Sequence, residues 1–142
     1  MRCATFTIRT LCPCSSRWRL AIDVKPIFDH AWSPDGDRIA YVGDGTDGPA
    51  LLSMVLGADP PVVLFGAAAG AVLAAPTWLP DEAIVFVMDG DLWRLDAGSA
   101  DAVALTTGLE VLAEHPDPAL QVSPDGRWVA YESDESGRFE IY

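Results

Sequence analysis

The sequence predicts an all-β protein, a partial β-propeller of about 2.5 to 3 four-stranded antiparallel blades. Three observations predict it. The stretch Trp32-Ser33-Pro34-Asp35-Gly36-Asp37-Arg38-Ile39-Ala40-Tyr41 returns almost residue for residue from Val122 to Tyr131, and more loosely from Trp78 to Val87. Its prolines, Pro34, Pro80 and Pro124, stand 46 and 44 residues apart, and such a period accommodates the four short strands of one blade. Finally, 11 prolines and 12 glycines spread over 142 residues leave no long stretch free of breakers, which excludes a helical repeat of similar period.

The elements follow in order. Residues 1–16 show no strong periodicity, Cys12-Pro13-Cys14-Ser15-Ser16 reads as a loop, and this segment is expected to be poorly ordered. Residues 17–142 carry the incomplete propeller, with repeats starting near 30, 76 and 119. Arg17 to Ile22 alternates polar and apolar residues and reads as a strand left from an earlier repeat. In the first full repeat Ser33-Pro34-Asp35-Gly36 has the residues of a type I turn, with proline presetting φ and glycine ready for a left-handed conformation. This predicts a three-residue hairpin loop with a bulge, joining a strand at Ala31-Trp32 to one at Arg38–Val42. Ile39 and Tyr41 then share one face and Ala40 and Val42 the other, so the second strand is apolar on both sides. Strands at Ala50–Val55 and Val62–Phe65 complete the blade.

In the second repeat, Trp78 and Ile84–Val87 supply the first two strands, Asp89-Gly90-Asp91 turns tightly into Leu92–Asp96, and Val103–Thr106 closes the blade. The turn Pro80-Asp81-Glu82-Ala83 lacks the glycine and is one residue shorter, which leaves its type open. Gly66 to Ala75 is read as a connection, since its two glycines argue against the helix its alanines suggest. The third repeat runs through Gln121-Val122, Arg127–Glu132 and Phe139–Tyr142, without a fourth strand.

Charge narrows the function classes. The net charge of -12 conceals an asymmetry, because residues 1–25 carry +4 and the remaining 117 residues carry -16. Repeats so acidic repel phosphate backbones and anionic lipid, so nucleic-acid binding is not expected. No apolar run reaches the length of a membrane span, and the N-terminus lacks the apolar core of a secretory signal. Cys3, Cys12 and Cys14 lie before the repeats, which therefore need no disulfide.

The pattern Trp/Val-Ser-Pro-Asp-Gly-x-x-Ile/Val-Ala-Tyr, followed some ten to fifteen residues on by an apolar strand, resembles the TolB-type β-propeller repeat over about residues 28–142. Similar repeats occur in propellers attached to prolyl oligopeptidase-type peptidases and to bacterial serine/threonine kinases. The resemblance implies a non-catalytic propeller fragment whose parent is a protein-interaction or ligand-binding scaffold, periplasmic if TolB-like. The alternative it implies is the propeller portion of a larger enzyme, a peptidase or receptor-like kinase, whose catalytic domain lies outside these residues.

The repeated residues are read as architecture: Trp32, Ser33, Pro34, Asp35 and Gly36 in the first repeat, Trp78, Pro80 and Asp81 in the second, Ser123, Pro124, Asp125 and Gly126 in the third. The tryptophans are expected to pack between blades and the aspartates to bond nearby backbone N–H groups. No serine stands in a nucleophile elbow, no phosphate-binding loop is present, and neither His30 nor His115 has the setting of a catalytic base. Asp35, Asp37, Asp44 and Asp47 crowd one stretch of loop, but miss the spacing of a calcium loop. The chain is therefore expected to be no enzyme, to need no cofactor or metal, to bind protein, and to self-associate through open blade faces.

Overall fold

The computed structural model describes residues 4–9, 17–22, 29–55, 60–108, 120–133, 136–138 and 140–142. Of residues 1–16, for which poor order is expected, the described part is a strand, β1 (Ala4–Arg9), which pairs antiparallel with β2 (Arg17–Ile22) from Ala4↔Ile22 to Arg9↔Arg17; the rest lies outside the described residues. The period-two alternation in Thr5-Phe6-Thr7-Ile8 spans only four residues, too few to set a strand apart from a loop by pattern. Cys3, Cys12 and Cys14 lie outside the described residues, as does His115.

Blade 1 is the sheet β3 (His30–Trp32), β4 (Arg38–Asp44), β5 (Pro49–Val55) and β6 (Val62–Gly66), each strand paired with the next. Blade 2 repeats that meander with β7 (Leu73–Trp78), β8 (Ile84–Met88), β9 (Asp91–Leu95) and β10 (Ala102–Ala104). The third repeat forms two short ribbons, β11 (Gln121–Val122) with β12 (Val129–Ala130), and β13 (Glu132–Ser133) with β14 (Glu140–Ile141). The first strands β3, β7 and β11 pack against one another in succession, as the inner strands of a propeller do. No α-helix appears among the described residues.

The apolar alternation of the second strands stacks the blades. From β4 and β5, Ala40 and Leu51 meet Trp78, Ile84 and Phe86 of blade 2 in one buried cluster. From the opposite face of β8, Val85 and Val87 join Leu79 and Leu92 against Leu120, with Val122, Val129 and Tyr131 of the third repeat packed alongside. Phe65 and Phe86 touch across the first seam, ring centroids 5.5 Å apart. Burying a side chain such as Phe86 stabilises by roughly 1.5–3 kcal/mol, so these seams hold one blade to the next.

Strand β7 begins earlier than the sequence reading placed it. Leu73–Ala75 belong to it and not to a connection, because a bulge carries the pairing past Pro76: Ala74 faces Val87, Thr77 faces Val85, and Ala75 takes a positive φ of 49°. The Ala75 N–H that the bulge frees donates to the Asp29 carboxylate at 3.0 Å, tying the start of blade 1 to the inner strand of blade 2. The β8–β9 turn is the expected tight one. Asp89 and Gly90 both lie at positive φ, as a two-residue type I′ hairpin requires, and Met88 pairs with Asp91.

Candidate functional site

The repeated turns all join a first strand to a second, so they gather at one end of the inner strands. In blade 1 the Gly36 N–H donates to Ser33 O at 2.9 Å, closing the type I turn, with Gly36 at φ 77°. The loop between the paired residues Ser33 and Arg38 holds four residues, not the predicted three. The extra residue fits because the Ser33 hydroxyl takes over a backbone acceptor's role, receiving the Arg38 N–H at 2.9 Å while donating to the Asp35 carboxylate. Asp35 in turn accepts the Asp37 N–H. The hydroxyl of Ser33, followed by the Asp37 N–H, holds the Asp35 carboxyl below the usual carboxylate range.

The third repeat copies this device with Ser123, Asp125 and Gly126 (φ 71°), and the Ser123 hydroxyl likewise lowers the Asp125 pKa. Gly126 has a second constraint: a Cβ there would stand 2.8 Å from Pro80 Cδ, so the turn of the third repeat rests on that of blade 2. The blade 2 turn is the three-residue loop. Leu79 pairs with Ala83, Asp81 accepts the Ala83 N–H, and Glu82 takes the left-handed place of the missing glycine at φ 68°. Asp81 is held low chiefly by Arg94, whose Nη2 donates at 2.7 Å.

Glu82 also reaches across the seam. Its carboxylate pairs with Arg38 of blade 1 at 3.0 Å, and Arg38 bonds Asp35 at 3.3 Å while lying 4.8 Å over the Trp78 ring. Trp78 is 9% exposed and packs against Ala40 and Leu51 of blade 1. Trp32, at the same repeat position, is 43% exposed and lines a cleft with Trp78 and Pro80 of blade 2. That cleft, of about 350 Å³, is built from the same repeat positions in all three units, with Trp32 and Pro34, then Trp78 and Pro80, then Val122 and Pro124. A second cleft of about 370 Å³ runs between blades 1 and 2, from Trp78 past Arg38 and Glu82 to Val63. Both have Trp78 in their walls.

The polar groups of the turns are engaged with one another. Ser33 and Ser123 serve the backbone, and among the described residues no three His, Cys, Asp or Glu side chains come together as a metal group would require. Asp35 and Asp37 are joined within one turn, and Asp44 is in β4 opposite Pro49. His30 is in β3, opposite Tyr41.

The model of the lipoprotein LpqB β-propeller domain matches residues 22–131. The chain belongs to that family. LpqB-type propellers are not singled out by the repeat motif alone, but the TolB resemblance has its structural counterpart. The chain is similar to TolB from Acinetobacter baumannii, with a TM-score of 0.72 and 25% identity over 97% of this chain and 34% of that one. It is also similar in fold to a putative TolB from Agrobacterium tumefaciens, with a TM-score of 0.57 and 23% identity over 80% of this chain and 40% of that one. This LpqB-family chain thus spans about a third of the length of the first of these. No curated protein matches it in sequence. The sequence reading missed the Arg38–Glu82 bridge, whose only signal was the acidic residue standing where the other repeats have glycine.

Proposed function

We propose that the chain is a non-catalytic propeller module that binds a protein partner at the inner end of its blades, over the repeated turns. The observation that carries this reading is the cleft at Trp32, Pro34, Trp78, Pro80 and Pro124, where successive repeats each supply an apolar residue to one surface. Prolines bring rigid apolar area with little entropy to lose, and the exposed Trp32 supplies an aromatic anchor. The acidity of the repeats favours a protein partner over nucleic acid.

The repeated motif residues serve mainly as turn architecture in this reading, with Trp32 the contact residue. Photo-cross-linking in the native host tests it, with benzoylphenylalanine in place of Trp32 or, on the outer strand β10, of the exposed Val103. A discrete protein adduct from position 32 alone supports the reading. Equal adducts from both positions, or none from position 32, overturn it.

A further inference from the structure

We infer that the cleft between blades 1 and 2 is a second binding site, one that receives a basic side chain of an extended peptide. This site is distinct from the turn surface, which it meets only at Trp78. Three observations converge on the ligand chemistry. The walls supplied by Trp78, Ile84 and Leu95 are apolar, and they suit the alkyl stem of a lysine or arginine. Charge on the lining is unbalanced, since two carboxylates, Glu82 and Asp96, stand there against one guanidinium, Arg38. Lastly, the indole Nε1 of Trp78 is buried without a hydrogen-bond partner, although a buried donor is ordinarily satisfied.

An extended peptide answers all three. Its basic side chain lies along the apolar wall with the charge between Glu82 and Asp96, and a backbone carbonyl accepts the Trp78 N–H. Arg38 is the cover. It lines the cleft, lies over the Trp78 ring, and is held there by Glu82 and Asp35, so a cation competing for both carboxylates draws it aside and opens the indole, whereas loss of Glu82 alone leaves it tethered to Asp35.

The test is a titration of the isotope-labelled chain with acetyl-Ala-Lys-Leu-Ala-amide, and with the same peptide carrying glutamate for lysine, followed by NMR. The lysine peptide should move the Trp78 indole N–H and the Gly98 and Ser99 amides on the cleft wall, leaving the Trp32 indole in place. The glutamate peptide should bind roughly tenfold more weakly. Glu82→Gly should weaken the lysine peptide about fivefold without lowering the melting temperature, because position 82 already has a conformation glycine accepts. Asp96→Asn, which leaves that turn untouched, should weaken it in the same direction. Equal binding of the two peptides, shifts at Trp32 alone, no shifts at all, or unchanged affinity in both variants would each overturn the inference.

Discussion

The turn that opens blade 1 and the turn that opens blade 2 reverse the chain at equivalent places with different chemistry. In the first, a serine hydroxyl makes room for a fourth loop residue and glycine takes the left-handed position without strain. In the second, the loop is one residue shorter, no serine is present, and Glu82 takes the left-handed position. A left-handed conformation costs an ordinary residue about 1–2 kcal/mol. Glu82 partly offsets that cost by bridging to Arg38, so the irregular turn also fastens two blades together. The irregular turn thus adds an ion pair between blades, which the glycine of a regular turn could not supply.

The third turn separates conformation from contact, and supplies the largest predicted effect. Gly36 and Gly126 have nearly the same φ, but a Cβ at Gly36 meets nothing within 4 Å while one at Gly126 strikes the Pro80 ring. Gly36→Ala should therefore cost about 1–2 kcal/mol, from backbone strain alone. Gly126→Ala should cost about 2–4 kcal/mol, adding the overpacking of a tight contact. Denaturant melts of the two variants compare them directly. Equal losses would mean that the third turn does not rest on blade 2.

Next in size is the serine. Ser33→Ala strands the Arg38 N–H in a place where Ser33 itself is only 4% exposed, for an expected loss of about 1–3 kcal/mol. Ser123 makes the same bonds in a more exposed turn, where water can replace the hydroxyl, so Ser123→Ala should cost less. The order of the two losses is the test, and its reversal would break the parallel between the turns.

A smaller effect has the opposite sign. Glu82→Gly removes the backbone strain of the second turn and also its exposed ion pair, which is worth about 0–1 kcal/mol. The balance should be a gain of roughly 0.5–1 kcal/mol by equilibrium unfolding. A clear loss of stability would mean that the bridge to Arg38, and not the turn, dominates at this position.

The fold was legible in the sequence because propeller blades are written locally. Each turn and alternating strand lies within one period, and the pairing of neighbours follows chain order. What escaped was written across periods. Pro76 hid the start of β7, since the bulge that accommodates it depends on a carboxylate 46 residues earlier, Asp29. Trp32 and Trp78 occupy the same repeat position, but one is exposed and the other buried, because Arg38 of blade 1 covers Trp78 at their shared seam. The clefts likewise belong to pairs of blades, and no single repeat announces them.

The smallest effect concerns the acidic residue common to the three turns. Asp35, Asp81 and Asp125 all have folded pKa values below the ordinary 3.8. A carboxyl held low in the folded state contributes its stability fully above the unfolded pKa and loses it as pH falls through the lower folded value. All three turns should therefore weaken in the same acidic window, below about pH 4. Salt distinguishes them. Asp81 is held chiefly by the hydrogen bond from the cationic Arg94, an exposed pair that ions screen, whereas Asp125 is held chiefly by the neutral hydroxyl of Ser123. Raising the salt from about 0.01 to 1 M should move the Asp81 pKa towards its ordinary value and leave that of Asp125 nearly in place. Carboxyl-carbon NMR titrations at the two salt concentrations measure both residues at once. If Asp81 and Asp125 respond to salt alike, the charge of Arg94 does not set the second turn apart, and the distinction between regular and irregular turns is lost.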